Sequence, residues 1–209
     1  MKPNTRAGSR LERVLAAGHF AVTAEVGPPR GPDPKAIQKK ARLVRGVADA
    51  YNVTDNQMAV LHMSSIAGAK ILLDEGLEPV MQMTCRDRNR IAIQSDLLGA
   101  SALGIRNCLS ISGDHQKAGG SGKRKGRADC KNVYDVDSIQ LLSIVKGLRD
   151  DAVDQGGDSI RPAARFFIGA AWTPLAPPED FRLIRLRKKI AAGADFIQTQ
   201  AVYDVVRFA

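Results

Sequence analysis

The sequence is short of the features that mark several protein classes. Aromatic residues make up 5% of its 209 residues, too few for the stacking surfaces that bind single-stranded nucleic acid, and no recognition-helix or ribonucleoprotein motif is present. The three cysteines, Cys85, Cys108 and Cys130, are an odd number without CxxC or Cys/His ligand spacing. Neither a disulfide framework nor a metal centre is signalled, and reduced, mostly buried thiols are expected. No apolar run approaches the roughly 18 to 20 residues of a membrane span, and the opening MKPNTRAGSRLERV has no apolar segment of the secretory kind. The expectation is a cytoplasmic protein with neither a membrane nor a nucleic acid as partner.

With 44% hydrophobic and 25% charged residues, the chain can bury one sizeable core. Its net charge of +9 is unevenly spread: part sits in the glycine-rich run 117–131 (KAGGSGKRKGRADCK) and part in 182–189 (RLIRLRKK). An anionic small molecule, such as a dinucleotide or a glutamylated pterin, accounts for that charge as well as RNA does. Run 117–131 is expected to be a flexible solvated loop, the alternative being a cover over a site or a surface for an electron-transfer partner.

From Phe20 onward, β-rich runs alternate with helical patterns, which predicts βα units around a parallel sheet. Strands are placed at 20–26, 50–55, 79–84, 107–112, 165–171 and 195–200, most of them apolar nearly throughout, as strands buried on both faces are. Helices are placed at 34–47, 64–75, 88–104, 136–150 and 178–192. The phrases LLDEGLEP, ASALGIRN and IAAGADF share one form, a helix that closes in small residues and glycine before a strand begins. Residues 1–19, with an amphipathic stretch at 10–17, are read as a capping extension under a barrel formed by 20–209. The fold class is thus α/β, a (β/α)8 TIM barrel. At about 30 residues per unit only six of its eight units are accounted for, so the chain is expected to be truncated or completed by a partner.

In such barrels the working residues lie at the carboxyl ends of the strands. Here those ends are rich in polar groups. The first strand closes in Glu25 before Gly27, Pro28 and Pro29, and the prolines cannot continue a ladder. A carboxylate at the mouth of an apolar barrel should be desolvated and suited to general acid work. The bland alternative is a pair with Arg30. Further ends carry Asn52, Thr54, Asp55 and Asn56; Thr84 with Arg86, Asp87 and Arg88; Ser112, Gly113, Asp114 and His115; and Gln198, Thr199 and Gln200. Gly113 allows close approach of the backbone to a ligand, aiming Asp114 into the barrel top. The glutamines offer the donor and acceptor that match the edge of a pterin or flavin.

The series AEVGPP, QMTCRDRN, SISGDH and IQTQAVYD, in this order and at these strand ends, resembles the methylenetetrahydrofolate reductases. The phrase TCRDRNRIAIQSDLLGASALGIRN is similar to the branch fused to, or working beside, a homocysteine methyltransferase module. The resemblance implies FAD as cofactor, methylenetetrahydrofolate as substrate, and NADH, NADPH or a partner electron-transfer protein as reductant. It implies catalytic roles for Glu25, as the acid that opens the folate's five-membered ring, and Asp114, near flavin and pterin. It further implies substrate binding by Gln200 and Asp114, and contact with FAD by Thr84, Gly113, Asp114, His115, Tyr134 and Lys189. A methyltransferase partner and a homo-oligomer are both compatible with that branch.

The chain departs from the bacterial pattern in reading EVGPP for an aromatic-containing EFFPP, in lacking a histidine near Ala176, and in carrying Arg182 and Arg185 where Asp and Asn stand. Two rival readings remain: a pterin-binding methyltransferase-type or aldolase-like barrel, and a non-catalytic interaction subunit. An aldolase would want a Schiff-base lysine at a strand end, and none of the six ends in one.

Overall fold

The computed structural model describes residues 5–116 and 130–208; residues 117–129, which hold most of the basic glycine-rich run, lie outside them. Six strands, β1 (Thr23–Glu25), β2 (Ala50–Val53), β3 (Pro79–Thr84), β4 (Asn107–Ile111), β5 (Phe167–Trp172) and β6 (Phe196–Thr199), form one sheet in sequential order. Every pairing is parallel. Helices α2 (Pro34–Val44), α3 (Ser65–Asp74), α4 (Arg90–Ala102), α5 (Ser138–Lys146) and α6 (Glu179–Ala191) make the crossovers, preceded by α1 (Arg10–Ala16) and followed by α7 (Val205–Phe208). The sheet curls as part of a barrel, so the expected α/β class and six-unit partial barrel are both seen.

Four of the five crossover helices start where the sequence supplies a side-chain cap; α6 follows Pro178, which offers none. The side chains of Asp33, Ser64, Asn89 and Asp137 accept backbone N–H groups of α2 to α5, and Asp137 forms a reciprocal capping box with Gln140. The small-residue and glycine endings behave as read: after α3, α4 and α6 the next two N–H groups fold back onto the last turn, as in Gly104 to Ser101 and Ile105 to Ala100. Helix α5 ends in a wider π turn, Gly147–Asp151, which the sequence pattern did not distinguish from a continuing helix.

Strand alternation sorts the core into two layers. Tyr51, Val53, Met81, Met83, Cys108, Ile168 and Ala170 face the helices and pack with Ile37, Leu72, Leu97, Leu141 and their neighbours. Ala50, Val80, Leu109 and Phe167 face the concave side, where Ala7 and Leu11 of the N-terminal segment pack onto them. Glu12 organises that segment: its buried carboxylate accepts the N–H groups of Arg6, Ala7 and Gly8. Glu78 in turn accepts from Leu11 N and Asn107 Nδ2, filling the amino-terminal end of the sheet and leaving the carboxyl end open. Opposite it, Arg149 ties the π turn to the sheet through Asp195 and the carbonyl of Phe166.

Among the described residues, no helix is long and apolar enough to cross a membrane. Cys85 and Cys108 are buried, and Cys130 is exposed.

Candidate functional site

The carboxyl ends of all six strands converge on a cavity of about 700 Å3. Its wall includes Glu25 from β1, Thr54 and Asp55 after β2, Gln82 and Thr84 from β3, Gly113 and Asp114 after β4, Trp172 from β5 and Gln198, Thr199 and Gln200 at the end of β6. One side is closed by α6 and the segment before it, through Pro177, Phe181, Arg182, Arg185 and Lys189.

Six of the eight residues expected at the site line this cavity: Glu25, Thr84, Gly113, Asp114, Lys189 and Gln200. His115 and Tyr134 do not. The Tyr134 hydroxyl donates to the Gly113 carbonyl at 2.9 Å, and its ring stacks on His115 with centroids 6.4 Å apart. His115 Nε2 lies 2.8 Å from Asn132 Nδ2. The chain leaves the cavity after Asp114, so both rings brace the turn from behind.

Glu25 differs from expectation in another respect. Among the described residues its side chain is exposed, not desolvated. Nor does it pair with Arg30: among the described residues its carboxylate has no hydrogen-bond or ion-pair partner.

Beneath the wall lies a buried polar network. The Asp55 carboxylate accepts Thr84 N and Thr84 Oγ1, each at 2.9 Å, and Arg88 through both terminal nitrogens at 2.6 and 3.2 Å. Arg88 also donates to Asp96 at 2.8 Å. Burial opposes the Arg88 charge, but the paired Asp55 more than offsets it and holds the guanidinium above its ordinary pKa. The Thr84 hydroxyl proton is therefore committed to Asp55, which leaves its oxygen only the capacity to accept.

The α6 side is cationic. Lys189 donates to the Ala171 carbonyl at the end of β5; burial, and then the like charge of Arg185, lower its pKa. Arg182 pairs with Glu179. Two buried donors on this wall, Trp172 Nε1 and Arg182 Nε, have no hydrogen-bond partner among the described residues. Such groups are normally satisfied, so an acceptor brought by a ligand would complete them.

A family model described as methylenetetrahydrofolate reductase matches residues 10–209. The chain belongs to the methylenetetrahydrofolate reductase family. Among curated relatives it is 25% identical, over 95% of its length, to a probable methylenetetrahydrofolate reductase (NADPH) of Caenorhabditis elegans. It is 29% identical, over 81% of its length, to methylenetetrahydrofolate reductase 2 of Saccharomyces cerevisiae. It spans only 28% and 26% of those proteins.

Solved structures are similar in fold. A Clostridium thermocellum protein that binds two copies of 5-methyl-5,6,7,8-tetrahydrofolic acid superposes with a TM-score of 0.56 at 14% identity, over 94% of this chain and 60% of that one. A 2,3-dimethylmalate lyase of the PEP mutase/isocitrate lyase superfamily superposes with a TM-score of 0.58 at 14% identity, over 97% and 66%.

Several lining residues were not singled out from this family's sequence pattern. Gln82 sits inside the apolar strand PVMQMT, two residues before Thr84 and hence on the same face; that period was the available signal. Trp172 occupies the last position of β5, one residue past the expected strand end, and nothing local marked it as a ligand-facing donor.

Proposed function

We propose that this cavity is the catalytic site of a flavin-dependent oxidoreductase that reduces 5,10-methylenetetrahydrofolate to 5-methyltetrahydrofolate in one-carbon metabolism, with FAD as cofactor and NADH or NADPH as reductant. The observation behind the proposal is that Glu25, Asp114 and Gln200, which come from β1, β4 and β6 and are far apart in sequence, line one cavity in a chain of this family.

The residues present fit a flavin dinucleotide. Arg182, Arg185 and Lys189 give one wall the positive charge a pyrophosphate requires, and Trp172 Nε1 and Arg182 Nε, without partners among the described residues, would be donors for its oxygens. When bound, FAD supplies a reversible store for the hydride that passes from the nicotinamide to the folate.

The protein's own part is proton placement and orientation. Glu25 stands at the open rim of the cavity, where a pterin laid over it would exclude water and place its carboxyl as the acid. Its proton goes to the nitrogen of the five-membered ring that opens, leaving an electrophilic one-carbon unit. Gln200 offers both a donor and an acceptor to the pterin edge. Asp114, from the β4 side of the wall, would hold the folate.

The test is the visible spectrum and the folate-dependent reoxidation of the protein expressed from its complete gene. Glu25→Gln should leave reduction by the nicotinamide within about threefold and slow reoxidation by the folate by roughly 10²- to 10⁴-fold, the usual contribution of general acid catalysis. If both half-reactions fall equally, Glu25 is not the acid; if the protein holds no flavin, the whole proposal is wrong.

A further inference from the structure

Asp114 is exposed, and among the described residues its carboxylate accepts no hydrogen bond. Among the described residues no side chain braces it, and its direction is set by the backbone that carries it. That backbone is held at two consecutive carbonyls: Gly113 O accepts from the Tyr134 hydroxyl at 2.9 Å, and Asp114 O accepts from Arg86 Nη1 at 3.2 Å. Gly113 lies at φ +84°, and its α-carbon packs so tightly that a Cβ there would sit 3.1 Å from Thr84 and 3.2 Å from Arg86.

Arg86 is the hub of this arrangement. It is 1% exposed, an unusual place for a guanidinium, and it reaches the loops after three successive strands. Nη2 donates to the Asn56 carbonyl after β2 at 2.9 Å. Nε and Nη2 donate to Asp87 after β3 at 2.7 and 2.6 Å, and Nη1 donates to Asp114 after β4. Its own carbonyl accepts Val133 N at 2.8 Å, tying in the segment that carries Tyr134. Stability alone is a weak reason for such a residue, since a buried ion pair is often no better than apolar side chains of the same volume. What an apolar replacement could not reproduce is a planar fork that fixes three loops at once.

We propose that Arg86 is a positioning residue that sets the aim of the Asp114 carboxylate in the folate half-reaction. The role rests on the reductase reading above. Arg86 lines the cavity wall, yet its donors point to protein carbonyls and to Asp87, so it acts through Asp114 and not on the substrate. Displacing a reacting group by about 1 Å is enough to slow chemistry by roughly 100-fold.

Two measurements on the protein from its complete gene test this. In the first, hydrogen exchange is followed in the ligand-free protein: Arg86→Met should speed exchange of peptides covering 112–116 by at least tenfold and leave 80–83 and 107–110 unchanged. The second is a double-mutant cycle on the limiting rate of flavin reoxidation by methylenetetrahydrofolate. There Arg86→Met should lower the rate by 10- to 100-fold with the nicotinamide half-reaction within threefold; in an Asp114→Asn background the same change should cost less than threefold; and Arg86→Lys should restore part of the rate.

Unchanged exchange at 112–116, or multiplicative effects of the two substitutions, would overturn the role. If Arg86→Met does not fold, Arg86→Met/Asp87→Asn removes both charges together and serves in its place. Wild-type protein that is never reoxidised by the folate would instead refute the reductase reading, and the exchange result would still decide whether Arg86 holds Asp114.

Discussion

Removing Asp55 should destabilise the protein more than any other single change at the rim of the cavity. Its side chain is fully buried and serves four donors. Asp55→Ala leaves Arg88 without its shorter partner, and breaking a buried pair costs about 3 to 5 kcal/mol. Arg88 keeps Asp96, which is itself partly exposed, so the lower end of that range applies. Thr84 N–H also loses its acceptor, worth roughly 1 to 3 kcal/mol. Because the two losses share one cavity they will not add in full, and about 4 kcal/mol is expected. With a urea m-value of roughly 2 kcal/mol/M for a domain of this size, the midpoint should fall by about 2 M. The assay is urea unfolding followed by far-ultraviolet circular dichroism, with Asp55→Ala/Arg88→Met as the companion. The double variant should regain more than half of the loss, because both charges leave together. A fall below about 0.5 M, or a double variant as unstable as the single, would show that the network stores little energy and that the reasoning is wrong.

Gly113→Ala forces a Cβ into the left-handed region and against Thr84 and Arg86; a loss of about 2 to 3 kcal/mol is expected, seen as a drop of roughly 5 to 10 °C in Tm. Burial pushes the Cys85 and Cys108 thiols up to about 12. Iodoacetamide at pH 8.5 should therefore modify Cys130 in the native protein and reach the other two only in denaturant, as peptide mass mapping will show. Asp49, Asp87, Asp135 and Asp150 titrate below their ordinary value of 3.8, and Asp87 and Asp150 are the two held by buried arginines. For Asp87 burial acts the other way, but the hydrogen bonds and charge of Arg86 outweigh it; for Asp150 the hydrogen bond from Arg149 dominates. Below 3.8 the unfolded chain takes up protons that the folded chain still refuses, so their contribution is complete above roughly pH 5 and is lost as pH falls through and below 4. Equilibrium unfolding between pH 7 and 3 checks this, and Asp87→Asn should flatten part of the slope.

The strands were legible because their chemistry is local. β3 runs from Pro79 to Thr84 as its apolar composition implied, and the others end within a few residues of where polar groups begin. Glu25, Asp114 and Gln200 were legible for a related reason: a parallel sheet places every strand's last residue at the same face, so order along the chain predicts proximity in space. What escaped notice depends on contacts between distant segments. Nothing near Arg86 announces that its guanidinium ends on the carbonyls of Asn56 and Asp114, 30 and 28 residues away. His115 and Tyr134 lie near Asp114 but outside the cavity lining, because their side chains turn to each other and to Gly113, a matter of loop geometry.

The order of the sheet has a mechanical consequence. Each strand of the described sheet is hydrogen-bonded to its neighbours in sequence, so the polar ends stand around the cavity in the order in which the chain spells them. A helix that shifts against the sheet carries adjacent wall positions with it, as α4 does between Thr84 on β3 and Asp114 after β4. Substitutions between sheet and helices, remote from the cavity, thereby become adjustments of the spacing between neighbouring wall residues.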